Sequence, residues 1–283
     1  MKVFFDQRMS VDSGGYSPSG SKPGLCVADW QQRNLDIEIC GFHPVTESEL
    51  CLAHSPDYVR GVLSGQIQNG HGNRIPAVTR STLWTCGSMI AASRAALIDG
   101  IACSPSSGFH HACYGDGGGF CTWNSLVISA LKLIGEGLVT RVGIIDCDQH
   151  FGDGTADIIA FLRLEDAILH WTFGEHYGYG TFIQSDFLQD LQQQIDMMRD
   201  AGVGLIIYQA GADVHIDDPL GGTMTSEEMR ERDRFVFESC RDLHIPVAYC
   251  HAGGYTRDEN GGISGVIALH RTTLTEAISA CRR

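Results

Sequence analysis

The chain has 283 residues, with a hydrophobic fraction of 43% and a charged fraction of 19%, a globular balance that excludes intrinsic disorder. No apolar run approaches the roughly 20 residues that a membrane helix needs, and an acid at Asp6 directly after Met1-Lys2-Val3-Phe4-Phe5 rules out a signal peptide, so the expectation is a soluble, cytoplasmic protein with no membrane contact. The net charge of −14, from 34 acids against 20 Lys and Arg, argues against direct nucleic-acid binding and favours cationic ligands.

In chain order, residues 2–5 are predicted as a strand. The Gly-, Ser- and Pro-rich stretch 10–24 reads as a surface loop within a domain. Helices are predicted over 86–97, stopping near Gly100, and over 124–134, stopping near Gly135. Strands follow at 141–146 and 167–170, then a helix at 186–199 that stops near Gly202. A strand at 203–208 precedes a helix that opens on a Thr225–Glu228 capping box and runs toward Leu243. The last predicted strand is 246–250. These strands are continuously apolar, as a parallel sheet covered on both faces requires. Strand–helix alternation without a repeat gives a single α/β domain over 1–283, an open parallel sheet flanked by helices on both faces. Eleven cysteines, an odd number without a Cys-x-x-Cys pair, read as thiols in a reducing compartment.

Four segments carry the chemistry, and each follows a strand or sits among glycines. Asp146-Cys147-Asp148-Gln149-His150 ends a strand, and alternation along an extended chain sets Asp146, Asp148 and His150 on one side. Two carboxylates and an imidazole placed together call for a cation. Zn²⁺ suits such a mixed set, ahead of Fe²⁺ or Mn²⁺; the plainer alternative is a polar strand end with solvated acids. Gln209-Ala210-Gly211-Ala212-Asp213 supplies a third ligand, though an acid after a strand is more often a cap or turn residue. Catalytic zinc keeps three protein ligands and one open position. Gly108-Phe109-His110-His111 offers imidazoles for proton transfer, which Asp146 and Asp153 can hold in defined tautomers. In Ala252-Gly253-Gly254-Tyr255 the phenol is a candidate donor to a developing oxyanion. Taken singly, the last three are as readily a turn, a histidine pair or a packed tyrosine.

Taken in order, the segments Gly108-Phe109-His110-His111-Ala112, Gly118-Gly119-Phe120-Cys121, Asp146 to His150 with Gly152-Asp153-Gly154, Gly211-Ala212-Asp213 and Gly253-Gly254-Tyr255 resemble the histone deacetylase family, which includes acetylpolyamine amidohydrolases. The stretches 108–121 and 209–222 are most similar to its class IV branch. The resemblance implies an arginase/deacetylase-like fold and a zinc-dependent amidohydrolase that removes an acyl group from an acylated lysine peptide, a polyamine or another small amine. It implies zinc ligation by Asp148, His150 and Asp213, with Fe²⁺ as an alternative occupant and room for a structural monovalent cation such as K⁺. His110 would pair with Asp146 and His111 with Asp153, His111 acting as general base and acid. Tyr255 would bond the substrate carbonyl. Phe120 and Tyr177 would flank a narrow tunnel, Leu220 would line its rim, and the Gly119 backbone would meet the substrate amide.

Gln149, Phe151 and His251 depart from the residues common in that family. Two other readings use the same residues: an arginase-like ureohydrolase holding two Mn²⁺, and a binder of acylated amines without turnover.

Overall fold

The computed structural model describes residues 1–178 and 181–282. The chain runs through β1 (Lys2–Phe4), α1 (Lys22–Gln32), β2 (Glu38–Cys40), α2 (Glu47–Leu50), α3 (Pro56–Leu63), α4 (Pro76–Asp99), β3 (Ile101–Ser104), α5 (Ser125–Gly135), β4 (Val142–Asp146) and α6 (Asp153–Leu162). It continues through β5 (Ile168–Thr172), α7 (Phe173–His176), α8 (Gln184–Asp200), β6 (Leu205–Gln209), α9 (Ser226–Asp242), β7 (Val247–Cys250) and α10 (Ser264–Cys281). The strands form one seven-stranded sheet in the order β2-β1-β3-β7-β6-β4-β5, and every pairing is parallel.

The apolar strand runs are explained by burial on both faces. In β6, Ile206 and Tyr208 join the core beneath α1, α8, α9 and α10, while Leu205 and Ile207 join the core beneath α4, α5 and α6. Side chains two apart share a face, so a strand covered on both sides has no position left for a polar residue. Polarity returns at the strand ends, in Asp146 and Gln209. The carboxyl ends of β3, β4, β6 and β7 therefore carry the chemically active loops, outside the sheet edge where open α/β sheets hold ligands.

Three expectations are revised. The helix predicted over 86–97 begins at Pro76, because a proline in the first turn starts a helix without needing an apolar stripe. The strands β2 and β3, of three and four residues, are too short for periodicity to register. The stretch 10–24 is a surface loop only in its first half: Asp12 and Gly14 to Tyr16 are exposed, but Ser17, Ser19 and Lys22 are buried, and Lys22 Nζ donates to the Ala252 carbonyl at 2.5 Å. Small residues let this segment pack closely against the end of β7.

The Thr225 hydroxyl accepts from the Glu228 amide while the Glu228 carboxylate accepts from the Thr225 amide. Thr225→Ala should lower stability by about 1 kcal/mol, read as a smaller urea midpoint at unchanged slope.

Candidate functional site

The site is built where four strands end. β4 stops at Asp146, and the chain then makes a pair of side-chain-capped turns rather than continuing as pleated strand. The Asp148 amide donates to Asp146 Oδ1 at 3.1 Å, and the His150 amide donates to Asp148 Oδ1 at 3.1 Å. Asp146, Asp148 and His150 are thus grouped by Asx-type bonding, not by the strand alternation expected. From β6, Gly211 and Asp213 arrive alongside. A Cβ on Gly211 would lie 2.5 Å from the Asp148 Cα, so only glycine allows the two loops to meet this closely.

One ligand atom from each of Asp148, His150 and Asp213 lies within 4.8 Å of the others. His150 Nδ1 stands 3.1 Å from Asp148 Oδ1 and 3.2 Å from Asp213 Oδ2. One imidazole hydrogen cannot fully serve both, and the hydrogen bond it makes is to Asp148, which leaves the buried Asp213 Oδ2 under-satisfied. Burial, reinforced by the neighbouring Asp148 charge, pushes the Asp213 carboxyl up to about 7. Burial also opposes ionisation of Asp148, but His110 and the bond from His150 hold it well below the usual carboxylate range. Hydrogen bonds to Asp148 and Asp213 raise His150 to about 11. Two enclosed carboxylates that draw a proton onto an imidazole, with an orphaned oxygen between them, fit the donor set of a divalent cation.

The histidine pair lies on the loop after β3. His110 is buried, its Nδ1 2.7 Å from Asp146 Oδ2 and its Nε2 3.6 Å from Asp148 Oδ1. Burial disfavours its charge, but Asp146 and Asp148 outweigh that and raise it to about 9. His111 Nδ1 lies 2.6 Å from Asp153 Oδ1, and its ring sits 5.8 Å from that of His150. The His111 side chain is 22% exposed against 3% for His110, so His111 is the one that meets solvent. Gly119 passes so close to His111 that a Cβ would fall 2.3 Å from its ring. Gly119 and Phe120 both take left-handed backbone, φ +53° and +66°, strained for an aromatic residue. That turn places the Phe120 ring 5.6 Å from Tyr255. Burial, then the charges of Asp213 and Asp148, push the Tyr255 phenol well above its usual value, which keeps it a protonated donor.

Tyr177 does not join Phe120. Its ring packs on Phe173, Phe182 and Phe187 and its hydroxyl donates to Asp190 at 2.6 Å. An aromatic cluster with a half-buried acceptor offers this side chain more contact than an open rim. Leu220 is 41% exposed on the loop after β6. Of the departures noted in the sequence, Gln149 bridges two rim loops, donating to the Gly178 carbonyl and accepting from the Thr223 hydroxyl, each at 2.8 Å. Phe151 is exposed, and His251 stacks on His270 at 4.2 Å with both rings fully buried and held neutral by desolvation.

Sequence reasoning missed several groups. Gln209 donates to Asp146 Oδ1 at 2.9 Å and accepts from the Phe109 amide; a polar residue closing an apolar strand was the available signal. Asp218 accepts from the amides of Leu220, Tyr255 and Thr256, which fixes the Tyr255 backbone. Nothing in the sequence marks Lys22.

Fold and site together define a class: a parallel α/β protein with a metal-type Asp/His cluster at the carboxyl ends of its strands. Solved structures of this fold include an acetylpolyamine aminohydrolase from Burkholderia pseudomallei, with a TM-score of 0.75 at 17% identity over 98% of both chains. The HD domain of HDA15 gives a TM-score of 0.78 at 17% identity over 99% of this chain and 90% of that one. At such identity the likeness is one of fold. The family described as histone deacetylase domain matches residues 25–173. An uncharacterized protein of Picosynechococcus sp. is 32% identical over 243 residues, 78% of this chain and 79% of that one. The chain belongs to the histone deacetylase family. A histone deacetylase 2 of Arabidopsis thaliana is 28% identical over 60% of this chain and 48% of its own length. The acetoin utilization protein AcuC of Staphylococcus aureus is 28% identical over 62% and 55%. The chain thus matches about half the length of these two relatives.

A Cβ on Gly253 would fall 2.1 Å from Asp213 Oδ2. Gly253→Ala should displace that carboxylate and lower uptake of an added divalent cation relative to the unmodified chain, measured by elemental analysis after gel filtration, while the far-ultraviolet circular dichroism is retained.

Proposed function

We propose that this chain is a zinc-dependent amidohydrolase that removes an acyl group from an amine. The observation that carries the reading is the convergence of Asp148, His150 and Asp213 on one point beside two imidazole–carboxylate pairs. Asp148, His150 and Asp213 would hold the cation. When bound, it supplies Lewis acidity, polarising an amide carbonyl and acidifying a water molecule.

The remaining roles follow from the side chains. Asp153 fixes Nδ1 of His111, which leaves Nε2 free to take a proton from the attacking water and return it to the departing amine. His110, sealed between Asp146 and Asp148, contributes charge and orientation rather than exchange with solvent. Tyr255 donates its phenol proton to the carbonyl oxygen as negative charge develops there. Phe120 forms one wall of the approach, Leu220 stands at its rim, and the Gly119 backbone offers hydrogen bonds to an extended amide. Asp116, Asp217 and Asp258 are exposed on three surrounding loops, and with a net charge of −14 they favour a cationic carrier, a lysine-rich peptide or a polyamine.

The reading is tested by assaying zinc-loaded protein on a matrix of acyl lengths against lysine-peptide and polyamine carriers. Turnover that depends on added Zn²⁺ is expected in at least one row. Inactivity throughout, or two tightly bound Mn²⁺ per chain, would overturn it. Tyr255→Phe should retain zinc and lower kcat by roughly 10²-fold or more; unchanged kcat would remove the assigned donor. Asp213→Ala should lose the metal altogether, and a variant still carrying one zinc per chain would show that the third ligand is another residue.

A further inference from the structure

An ion pair on α9 reaches the two ligand loops from inside the domain. Arg232 is fully buried and Asp233 is 1% exposed. Arg232 Nε donates to Asp233 Oδ1 at 2.9 Å, and Nη2 stands 2.8 Å from the same oxygen. Asp233 is fixed in turn by the hydroxyls of Tyr208 and Thr273, which donate to it at 2.5 and 2.6 Å. The guanidinium thus has a defined place, and its remaining nitrogen points at backbone. Nη1 donates to the carbonyl of Cys147 at 3.1 Å and to that of Gly211 at 2.8 Å. Its two hydrogens join the residue before Asp148 to the residue two before Asp213.

The location of those carbonyls matters. The β4–β6 ladder is in register to Asp146 opposite Gln209, and its last rung is the Cys147 amide donating to the Gln209 carbonyl at 2.9 Å. Beyond that rung the ladder no longer fixes the distance between the two chains, yet the Asp148 and Asp213 carboxylates must stand at a set separation to share a cation. The Arg232 clamp acts at this gap. A buried ion pair is a poor device for stability alone, because an apolar pair of similar volume does as well or better. Lysine, with a single compact ammonium, lacks the planar fork that grips a carboxylate and two carbonyls together.

We propose that Arg232, held by Asp233, is a positioning residue for the metal centre, setting the spacing of Asp148 and Asp213 through the Cys147 and Gly211 carbonyls. This rests on the metal-centre reading above. It extends that reading to two residues that touch neither substrate nor metal.

The test compares the unmodified full chain with Arg232→Lys and with the double variant Arg232→Met, Asp233→Asn. The double variant removes both charges at similar volume, and its asparagine oxygen can still accept from Tyr208 or Thr273. Zn²⁺ affinity is measured by chelator competition, the visible d–d spectrum is recorded with Co²⁺, and stability of the metal-free protein is measured by urea unfolding. Both variants are expected to unfold cooperatively, to bind Zn²⁺ roughly 10- to 100-fold more weakly, and to show an altered Co²⁺ spectrum. Zinc affinity within threefold of the unmodified protein with an unchanged Co²⁺ spectrum would overturn the proposal, whatever the change in stability. So would failure of both variants to fold with or without zinc, since that assigns the pair to general stability. If the unmodified protein itself binds no divalent metal, the metal-centre reading falls and this inference with it, a result distinct from weakened binding in the variants alone.

Discussion

Two buried carboxylates share one pocket, and the rest of the structure follows from that constraint. Asp148 and Asp213 are both almost fully buried, with the His150 imidazole between them and His110 facing Asp148 from the other loop. Like charges this close in a poorly polarisable interior repel strongly, and folding tolerates them only if backbone donors and a positive charge meet them. The donors are present: the Gly253 amide serves Asp148 and the Gln149 amide serves Asp213. Positive charge is supplied only in part, by the His150 and His110 imidazoles. An unfilled demand for charge inside a sealed fold is the physical content of the metal-centre reading.

The sheet meets this demand by geometry. Every loop that contributes leaves a strand of the parallel sheet on the same side, so the ligand set and the histidine pair meet at one sheet edge. Strain is present there as well. Phe120 and Ala252 take left-handed backbone without being glycine, at φ +66° and +55°, and both lie next to residues of the candidate site. Such conformations persist only where the surroundings enforce them. For Ala252 the enforcing contact is visible in the buried Lys22 ammonium on its carbonyl.

Much of this was legible in the sequence, and for physical reasons. Strands buried on both faces announce themselves as unbroken apolar runs, so β4, β5, β6 and β7 were placed to within a few residues, while β2 and β3 were too short to signal. Asp148, His150 and Asp213 could be grouped because polar residues at the ends of apolar strands have few other reasons to be there. What stayed hidden depends on tertiary approach. No local pattern distinguishes Lys22 or Arg232 from a solvated surface cation, since their burial depends on backbone brought up from other segments of the chain. Tyr177 was misplaced for the same reason: in sequence it sits in a Gly-rich loop near the site, and only the packing of α8 shows that its ring has a better home. The pair Gln149 and Thr223 belongs to this class too, a rim contact between segments 74 residues apart.

The bond from Lys22 to Ala252 spans 230 residues and joins the first crossover of the chain to its last strand. A centre closed by so distant a contact cannot be built while the polypeptide is still emerging. Local helices such as α4 and α5 can form early, but loop-closure entropy delays contacts of this length until nearly everything else is in place. On the metal-centre reading, the cluster of Asp148, His150 and Asp213 would be completed late in folding, and cation uptake would then report that the two ends of the domain had met.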